Sequence, residues 1–284
     1  MPLRILFYNA NNGSGSIGRI GPDSFNVITD HAPDFFPRNW SMWGLGGGGT
    51  RCLLYDGVGA AQKWRSEVQP FPATGVSGDV FVHEKSYPPG TFGRWTHIMG
   101  RLPLPPTLLY NSNDGSGSAG YDPVKKAYPP GSFSTGWTHL LQTRHTVHEF
   151  FYNSNTGSAA FGFDPPRRLF PAGSFRTGWT HIAVGPSADF AKDEILFYNR
   201  NQRSGAIATV GFDANNFTTT IEWGQNSFDA WTHVVGTQHC WLFYDAFSGK
   251  ALVATRKNGE LASTFANISP GWTHIVRVGR DDSN

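Results

Sequence analysis

Five copies of the triplet Trp-Thr-His are spread along the chain, and their side chains could bind a carbohydrate. An indole face stacks on the apolar C–H face of a sugar ring, and an imidazole exchanges hydrogen bonds with its hydroxyls. The candidate ligand-binding residues are Trp95 and His97, Trp137 and His139, Trp179 and His181, Trp231 and His233, and Trp272 and His274. Asn111, Asn153 and Asn199, each at the end of a segment like LFYN, are secondary candidates. Repeated weak sites would gain avidity for multivalent glycans.

The same triplets also have a structural interpretation, and the sequence leaves both open. Residues two apart in a strand share a face, so Trp and His would meet a neighbouring sheet while Thr points away. A buried histidine and hydroxyl need full pairing, and the carboxylates of Asp122, Asp164 and Asp213 could complete such a network. An altered sixth copy reads Trp-Ser-Met and ends at Met42, so at most five complete sites are expected.

Two glycine-rich segments resemble ion or phosphate loops but lack the decisive residues. The turn NSNDGSG at 111–117 has one aspartate and no acidic residue at the end of a calcium loop. The stretch GLGGGG at 44–49 lacks the Lys-Ser/Thr of a phosphate-binding loop. Both are interpreted as surface turns.

No metal and no cofactor are expected either. His145 and His148, followed by Glu149, would lie on opposite faces of a strand. Cys52 and Cys240 are the only cysteines, which is too few for a disulfide framework or a thiolate cage, and they are interpreted as buried free thiols.

The repetition also bears on catalysis. An active site is usually built from residues that occur once, whereas the most prominent residues of this chain recur, and the arginine cluster of sialidases has no counterpart. The sequence therefore predicts a binding protein that is not an enzyme. A protein-interaction or toxin-associated scaffold is the first alternative, and a glycan hydrolase or lyase is the second.

A second motif reveals the elements that position the triplets. Segments like LFYN place tyrosines at 8, 55, 110, 152, 198 and 244, separated by 47, 55, 42, 46 and 46 residues. Each unit between them contains a WTH-type segment, the LFYN segment, a Gly-rich turn and two further short β segments, the last near YPPGSF or RRLFPAGSF.

Four short strands in a repeat of this length are typical of a β-propeller blade. The chain opens on a second strand and closes on a first strand, so the C-terminal strand can complete the N-terminal blade. The sequence predicts an all-β fold, a single six-bladed β-propeller over residues 1–284.

The pairing of LFYN with GWTHI resembles the repeats of bacterial lectin-like β-propeller proteins over essentially the whole chain. It is also broadly similar to tachylectin/tectonin-type propellers and to six-bladed fucose-binding propellers in blade length and tryptophan content. This resemblance implies a multivalent carbohydrate-binding protein. The Arg–Glu–Trp set of fucose lectins does not recur in phase, so fucose specificity is not implied.

Glycans or glycoconjugates are the expected partners from the triplets and the resemblance, and composition argues against two other classes. The net charge is +2, and Lys125-Lys126 and Arg167-Arg168 are isolated pairs, so nucleic acid is not an expected partner. No run of 18 apolar residues occurs, so membrane insertion is not expected. The strand-like start MPLRILFYN is unlike a signal peptide, which favours a soluble protein that is cytoplasmic or secreted by another route.

Overall fold

The computed structural model describes residues 3–21, 24–45, 51–70, 77–100, 107–120, 126–143, 148–162, 166–187, 192–211, 217–257 and 260–280. These residues form six antiparallel sheets of four strands each. Among them, no helix is long and apolar enough to cross a bilayer. Each sheet is one blade, and we number the blades by the position of their second strand along the chain.

Each blade consists of an innermost strand, two middle strands and an outermost strand, in that order. Blade 1 comprises β24 (His274–Arg280), β1 (Leu3–Asn9), β2 (Ser14–Ile20) and β3 (Phe25–His31). Blade 2 comprises β4 (Ser41–Gly44), β5 (Arg51–Tyr55), β6 (Ala61–Pro70) and β7 (Ser77–Tyr87). Blade 3 comprises β8 (His97–Gly100), β9 (Thr107–Tyr110), β10 (Gly117–Ala119) and β11 (Lys126–Tyr128).

The remaining blades follow in the same order. Blade 4 comprises β12 (His139–Gln142), β13 (Glu149–Asn153), β14 (Ser158–Gly162) and β15 (Pro166–Phe170). Blade 5 comprises β16 (His181–Val184), β17 (Lys192–Asn199), β18 (Ser204–Gly211) and β19 (Phe217–Trp223). Blade 6 comprises β20 (His233–Gly236), β21 (Trp241–Tyr244), β22 (Lys250–Lys257) and β23 (Glu260–Asn267).

The six innermost strands close a ring. Each innermost strand contacts the innermost strand of the next blade, in the order β24, β4, β8, β12, β16, β20 and back to β24. The C-terminal strand β24 pairs antiparallel with β1, with Tyr8 opposite His274. The predicted six-bladed propeller, closed by the C-terminal strand, is confirmed.

Aromatic side chains fill the space between neighbouring blades. The core cluster between blades 4 and 5 includes Phe150, Trp179 and Phe197. The rings of Phe150 and Phe197 meet edge to face with their centroids 6.1 Å apart. Large aromatic rings bury much apolar area, so these interfaces supply a large part of the stabilisation. The repeated tyrosines and their preceding apolar residues therefore serve the blade core.

The long connection from the outer strand of one blade to the inner strand of the next folds back over the hairpin between its second and third strands. In blade 4 the Phe175 N–H donates to the Gly157 carbonyl at 2.9 Å. Gly157 has φ +69°, and an added Cβ would lie 2.0 Å from the Phe175 carbonyl oxygen. Only glycine fits there, which explains the glycine of SNTGS. The prolines of YPPGSF lie in this connection, after the fourth strand has ended.

Candidate functional site

The threonine hydroxyl is the centre of each triplet's hydrogen bonds. In blade 4, Thr138 Oγ1 lies 2.8 Å from His139 Nδ1 and 3.1 Å from the Tyr152 carbonyl oxygen. It also accepts from the Ser154 N–H at 2.9 Å. The other triplets repeat the Thr–His contact, at 2.8 Å for Thr96–His97 and Thr232–His233 and at 2.9 Å for Thr180–His181 and Thr273–His274.

This contact differs from the strand alternation expected from the sequence. The innermost strands begin at the histidine, so Trp and Thr precede the strand and do not follow its two-residue period. Thr138 consequently turns towards His139 instead of away from it. The expectation that Thr faces the opposite side is wrong for this reason.

The histidines link the blades to one another around the ring. The Nε2 atom of each faces the threonine carbonyl of the following blade, at 3.2 Å from His97 to Thr138, 3.2 Å from His139 to Thr180, 2.9 Å from His181 to Thr232 and 3.0 Å from His233 to Thr273. A carbonyl only accepts, so Nε2 carries the proton and Nδ1 is an acceptor, and the single threonine hydroxyl proton is shared between Nδ1 and the tyrosine carbonyl of the same blade. We call these four contacts the histidine belt.

Burial keeps the histidines neutral. Desolvation lowers the pKa of His97, His139 and His233, and it lowers the pKa of His181 and His274 to about 4. Backbone carbonyls oppose this shift in the belt, since they favour a protonated ring, but the desolvation is larger. The neutral ring is the form that the belt requires.

The belt does not extend through blade 2. Met42 occupies the histidine position there, and its side chain has no N–H to donate to blade 3. Ser41 replaces the threonine, and its hydroxyl still donates to the Tyr55 carbonyl at 3.0 Å. Blade 2 therefore keeps the contact within the blade and lacks the one to the next blade.

The repeated tyrosines tie each blade to the connection that follows it. In all six blades the tyrosine hydroxyl donates to a carbonyl of that connection, for example from Tyr152 to Arg176 at 2.6 Å. Burial raises the pKa of Tyr152 to about 12, so the donor stays protonated. The hydroxyl can also accept from the N–H of the next tryptophan, as Tyr198 does from Trp231 at 2.8 Å.

Four of the five triplet tryptophans lie inside the protein. Trp137, Trp179, Trp231 and Trp272 are 6%, 5%, 1% and 8% exposed, and only Trp95 is half-buried. The Arg176 guanidinium covers the Trp179 ring at 5.2 Å from its centroid. Sugar stacking needs a free ring face, so these exposures favour packing as the role of the indoles.

The three candidate asparagines shape hairpins. Asn111 and Asn153 each accept from the N–H two residues ahead, at 3.0 and 2.9 Å, and Asn199 accepts from the Gln202 N–H at 2.9 Å. These are Asx turns that bend the chain after the second strand. Their binding role, like that of the triplets, stays a prediction.

Several residues considered in the sequence lie outside the described ranges. Asp122, Asp164, Asp213 and His145 are among them, as is the segment 46–49. Among the described residues, no cluster of three or more His, Cys, Asp or Glu could hold a metal ion. Cys52 and Cys240 are buried free thiols, and burial raises the pKa of the Cys52 thiol.

An open cleft of about 450 Å³ lies between blades 1 and 2, at the boundary beyond the end of the histidine belt. One part of its wall is residues 34–38, in the connection from blade 1 to blade 2. The other part is on blade 2 and consists of Gln62, Trp64, His83 and Ser86. We call this site the blade 1–2 cleft.

Two aromatic residues of the cleft depart from the repeat. Trp64 lies three residues after the alanine that pairs with Tyr55, and the other blades have glycine or alanine at that place: Gly18, Gly120, Gly162, Ala208 and Ala254. Phe35 precedes the buried Phe36, where the other connections carry the polar residues Thr91, Ser132, Ser174, Ser227 and Asn267. Phe35 is 37% exposed, and its ring centroid lies 5.5 Å from that of Trp64.

Two residues with positive φ lie on either side of Phe35 in the sequence. Asp34 has φ +66° and Asn39 has φ +61°, while blade 4's connection has glycine at both places, Gly173 and Gly178. Asp34 forms a two-point ion pair with Arg38, at 2.6 and 2.8 Å. This bond lowers the pKa of the exposed Asp34 carboxyl and holds the guanidinium at the cleft. Blade 5 also has non-glycine residues at positive φ, Arg203 and Asn226, so this conformation is not confined to the cleft.

A β-bulge directs two further polar groups into the cleft. The register between β6 and β7 shifts so that Trp64 pairs with His83, Lys63 pairs with Lys85, and Glu84 has no opposite residue. His83 and Ser86, three apart, therefore share one face, and Ser86 Oγ lies 2.9 Å from His83 Nε2.

These cleft residues are not among the candidates predicted from the sequence, because those candidates are residues that recur. Phe35, Arg38, Trp64, His83 and Ser86 occur once, and the signal that could have found them is a departure from the repeat. An aligned set of the six units shows a bulky aromatic residue where the others have a small one.

Comparison with known protein families and with curated proteins found no match for this chain. Among solved structures, it is similar to a candidate 6-phosphogluconolactonase from Bacteroides fragilis, with TM-score 0.59, 11% identity and 98% of each chain covered. A second such candidate, from Bacteroides uniformis, gives TM-score 0.56 and 11% identity over 98% of this chain and 99% of that one. A chain of a nidogen/laminin complex gives TM-score 0.55 and 8% identity, with 97% and 98% covered. Identities this low show a shared fold and do not identify a ligand.

The prediction that the protein is not an enzyme is corrected by this comparison. Two chains that share the fold are candidate 6-phosphogluconolactonases, so the propeller with its repeated residues is compatible with catalysis. The repeat pattern gives no ground for excluding an enzymatic activity.

Proposed function

We propose that the protein binds carbohydrate in the blade 1–2 cleft. The observation that carries the proposal is the exposed Phe35 ring beside the fixed Asp34–Arg38 pair in an open cleft. The His31 ring stacks on one face of Phe35, with centroids 4.0 Å apart, and the exposed part of the Phe35 ring offers an apolar surface to sugar C–H groups. Carboxylate and guanidinium offer paired acceptors and donors to hydroxyls. Gln62, His83 and Ser86 add further polar groups to the wall.

The size of the cleft supports a small ligand or one end of a longer glycan. Its volume of about 450 Å³ lies within the range of about 300–1,000 Å³ that is usual for small-molecule sites. Its residues combine a few convergent polar groups with aromatic rings, as such sites generally do. The resemblance to lectin-like propellers agrees with this ligand class.

Sugar binding at the Trp-Thr-His triplets is the less supported form of the proposal. Their indoles are mostly buried, and their imidazoles already bond at both nitrogens in blades 3 to 6. A sugar at these positions would have to displace bonds that connect the blades. The cleft needs no such displacement, because Phe35 is exposed and lies outside the belt.

A glycan array tests the proposal with three proteins: the wild type, Phe35→Ser and Val58→Ser. Phe35→Ser installs the residue found in the connections after blades 3, 4 and 5, and Val58→Ser removes an exposed apolar side chain (59% exposed) from a hairpin of blade 2. We expect the wild type and Val58→Ser to bind the same glycans and Phe35→Ser to lose them.

Two results would overturn the proposal in different ways. Glycan binding that is equal in all three proteins would reject the cleft as the binding site and favour the triplets. An array on which the wild type binds nothing, while it binds a protein tightly, would favour the interaction-scaffold alternative.

A further inference from the structure

We infer that Ser86 and His83 form a nucleophile–base pair that hydrolyses an acyl ester of the carbohydrate bound in the blade 1–2 cleft. The inference rests on the proposed function for the identity of the substrate. The hydrolytic step itself rests on the serine–histidine geometry and on its position in the cleft.

The distance between the two groups suits proton transfer. Ser86 Oγ lies 2.9 Å from His83 Nε2, within the range in which a histidine removes a proton from a serine hydroxyl. Serine is a poor nucleophile without such a base, and the pairing supplies one. Both side chains are exposed at the cleft surface, where an ester carbonyl can approach.

The β-bulge at Glu84 is the reason that the pair exists. Without the bulge, residues 83 and 86 would lie on opposite faces of β7, because their spacing is odd. Bulges are frequent beside active sites, where they redirect a side chain. The result is that Ser86, His83 and Trp64 all line one cleft.

The pair is also specific to blade 2, although blades 1, 4 and 5 have register shifts at comparable places. The residue that occupies the Ser86 position, judged by its pairing with the third strand, is Asp30 in blade 1, Ala127 in blade 3, Leu169 in blade 4, Glu222 in blade 5 and Phe265 in blade 6. A requirement of the fold would recur in every blade, as the tyrosine bonds do. A residue present once, inside the cleft, fits a role in chemistry.

The reaction balances with water as the only co-reactant. His83 Nε2 takes the hydroxyl proton as Ser86 Oγ bonds to the acyl carbon, and the Arg38 guanidinium in the same cleft favours the negative charge that develops on the carbonyl oxygen. The ester C–O bond breaks, the sugar oxygen takes the proton from His83, and an acyl-serine is left. Water then gives a proton to His83 and its hydroxide to the acyl carbon, which releases the carboxylic acid and restores Ser86.

A serine-directed fluorophosphonate probe and p-nitrophenyl acetate test the pair without any sugar. The proteins are the wild type, Ser86→Ala, His83→Gln and, as a matched control, Ser174→Ala, which removes an exposed serine from the connection after blade 4. We expect peptide mapping to place the probe on Ser86 in the wild type and the control. Ser86→Ala should lose labelling and ester hydrolysis, and His83→Gln should lower both at least about 10²-fold.

The inference is overturned if the wild type remains unlabelled, or if Ser86→Ala hydrolyses p-nitrophenyl acetate as fast as the wild type. Equal unfolding curves of Ser86→Ala and wild type verify the fold, as expected for an exposed side chain.

Sugar binding separates this outcome from that of the proposed function. Glycan binding is measured on the wild type and Ser174→Ala, and an O-acetylated form of a bound glycan should lose acetate with these two proteins and keep it with Ser86→Ala. Ser86-dependent hydrolysis of p-nitrophenyl acetate with no glycan bound would support the pair and reject a carbohydrate ester as its substrate. Glycan binding with no Ser86-dependent hydrolysis would support the proposed function and reject the nucleophile–base pair.

Discussion

The boundaries between blades 3, 4, 5, 6 and 1 and the boundary between blades 1 and 2 use different means to hold two sheets together. The former share the histidine belt, with its neutral rings bonded to a carbonyl of the next blade. The latter instead has an ion cluster in which Arg4 and Arg19 of blade 1 contact Asp79 of blade 2, whose side chain is fully buried. Four boundaries share the belt contact. The blade 2–3 boundary lacks it because Met42 replaces the histidine, and the blade 1–2 boundary, where the ion cluster lies, also contains the cleft.

We propose that this difference separates stability from ligand binding within one fold. At the belt, the polar groups of the triplets are consumed by bonds between and within blades, and the indoles are covered. At the blade 1–2 cleft, Phe35, Asp34 and Arg38 stay exposed, whereas Trp64 is 9% exposed.

Acidification should break the belt with the largest effect on stability. Folding lowers the pKa of the belt histidines, so the unfolded chain binds more protons between about pH 6.5, the unfolded value, and about pH 4, the folded value of His181. Stability is therefore complete above that window and is lost as the pH falls through it. Lowering one pKa from 6.5 to about 4 corresponds to about 3 kcal/mol for one ring.

Urea unfolding of the wild type and His181→Gln over this pH range measures the effect. The variant should be less stable at pH 7.5, and the gap between the two proteins should narrow by about 3 kcal/mol towards pH 4. The carboxylates titrate equally in both proteins and cancel in the difference. Parallel curves would show that His181 is not held neutral in the folded state.

Thr180→Val should weaken the belt at neutral pH. The substitution keeps the shape and removes a hydroxyl that contacts His181 Nδ1 at 2.9 Å and accepts from the Arg200 N–H at 2.9 Å. Partners left without a bond cost about 1–3 kcal/mol each, and we expect a loss of about 2–4 kcal/mol in the free energy of unfolding. Ser41→Ala in blade 2, outside the belt, should cost about 1 kcal/mol. Equal losses in the two variants would remove the distinction between the boundaries.

Arg38→Lys probes the cleft without changing its charge. Lysine cannot form the two-point contact with Asp34 that Arg38 forms through Nε and Nη2. We expect glycan affinity to fall about tenfold, which is about 1.4 kcal/mol, with unfolding unchanged because the pair is exposed. Calorimetric titration measures the affinity, and an unchanged affinity would exclude a role for the fixed guanidinium.

Asp34→Gly should produce the smallest change, with opposite signs for stability and binding. Glycine adopts φ +66° without steric cost, and the lost ion pair is fully exposed and contributes little, so stability should rise slightly. Glycan binding should weaken because Arg38 loses its anchor. A variant that is less stable and binds equally well would show that Asp34 serves the fold.

The propeller could be predicted from the sequence because a ring of similar blades requires the same residues at the same positions of each blade. The tyrosine spacing and the strand order at both ends sufficed to predict six blades and their closure, since each tyrosine makes the same bond to its connection. The orientation of Thr138 was not predictable from strand alternation, because the strand begins only at His139.

The cleft could not be predicted in the same way. Phe35 and Trp64 are separated by 29 residues and meet only when blades 1 and 2 pack side by side. His83 and Ser86 share a face only because of a bulge at Glu84, and no residue type in that segment predicts the bulge. The prediction that the protein is not an enzyme is wrong because it rested on repetition alone, and two chains that share the fold are candidate 6-phosphogluconolactonases.

The number of glycans bound per chain tests the central claim that ligand binding belongs to the blade 1–2 cleft. Titration calorimetry of the wild type with a glycan selected on the array should give one site per chain, and Phe35→Ser should abolish it. A stoichiometry approaching five, unaffected by Phe35→Ser, would contradict the claim and assign binding to the Trp-Thr-His triplets.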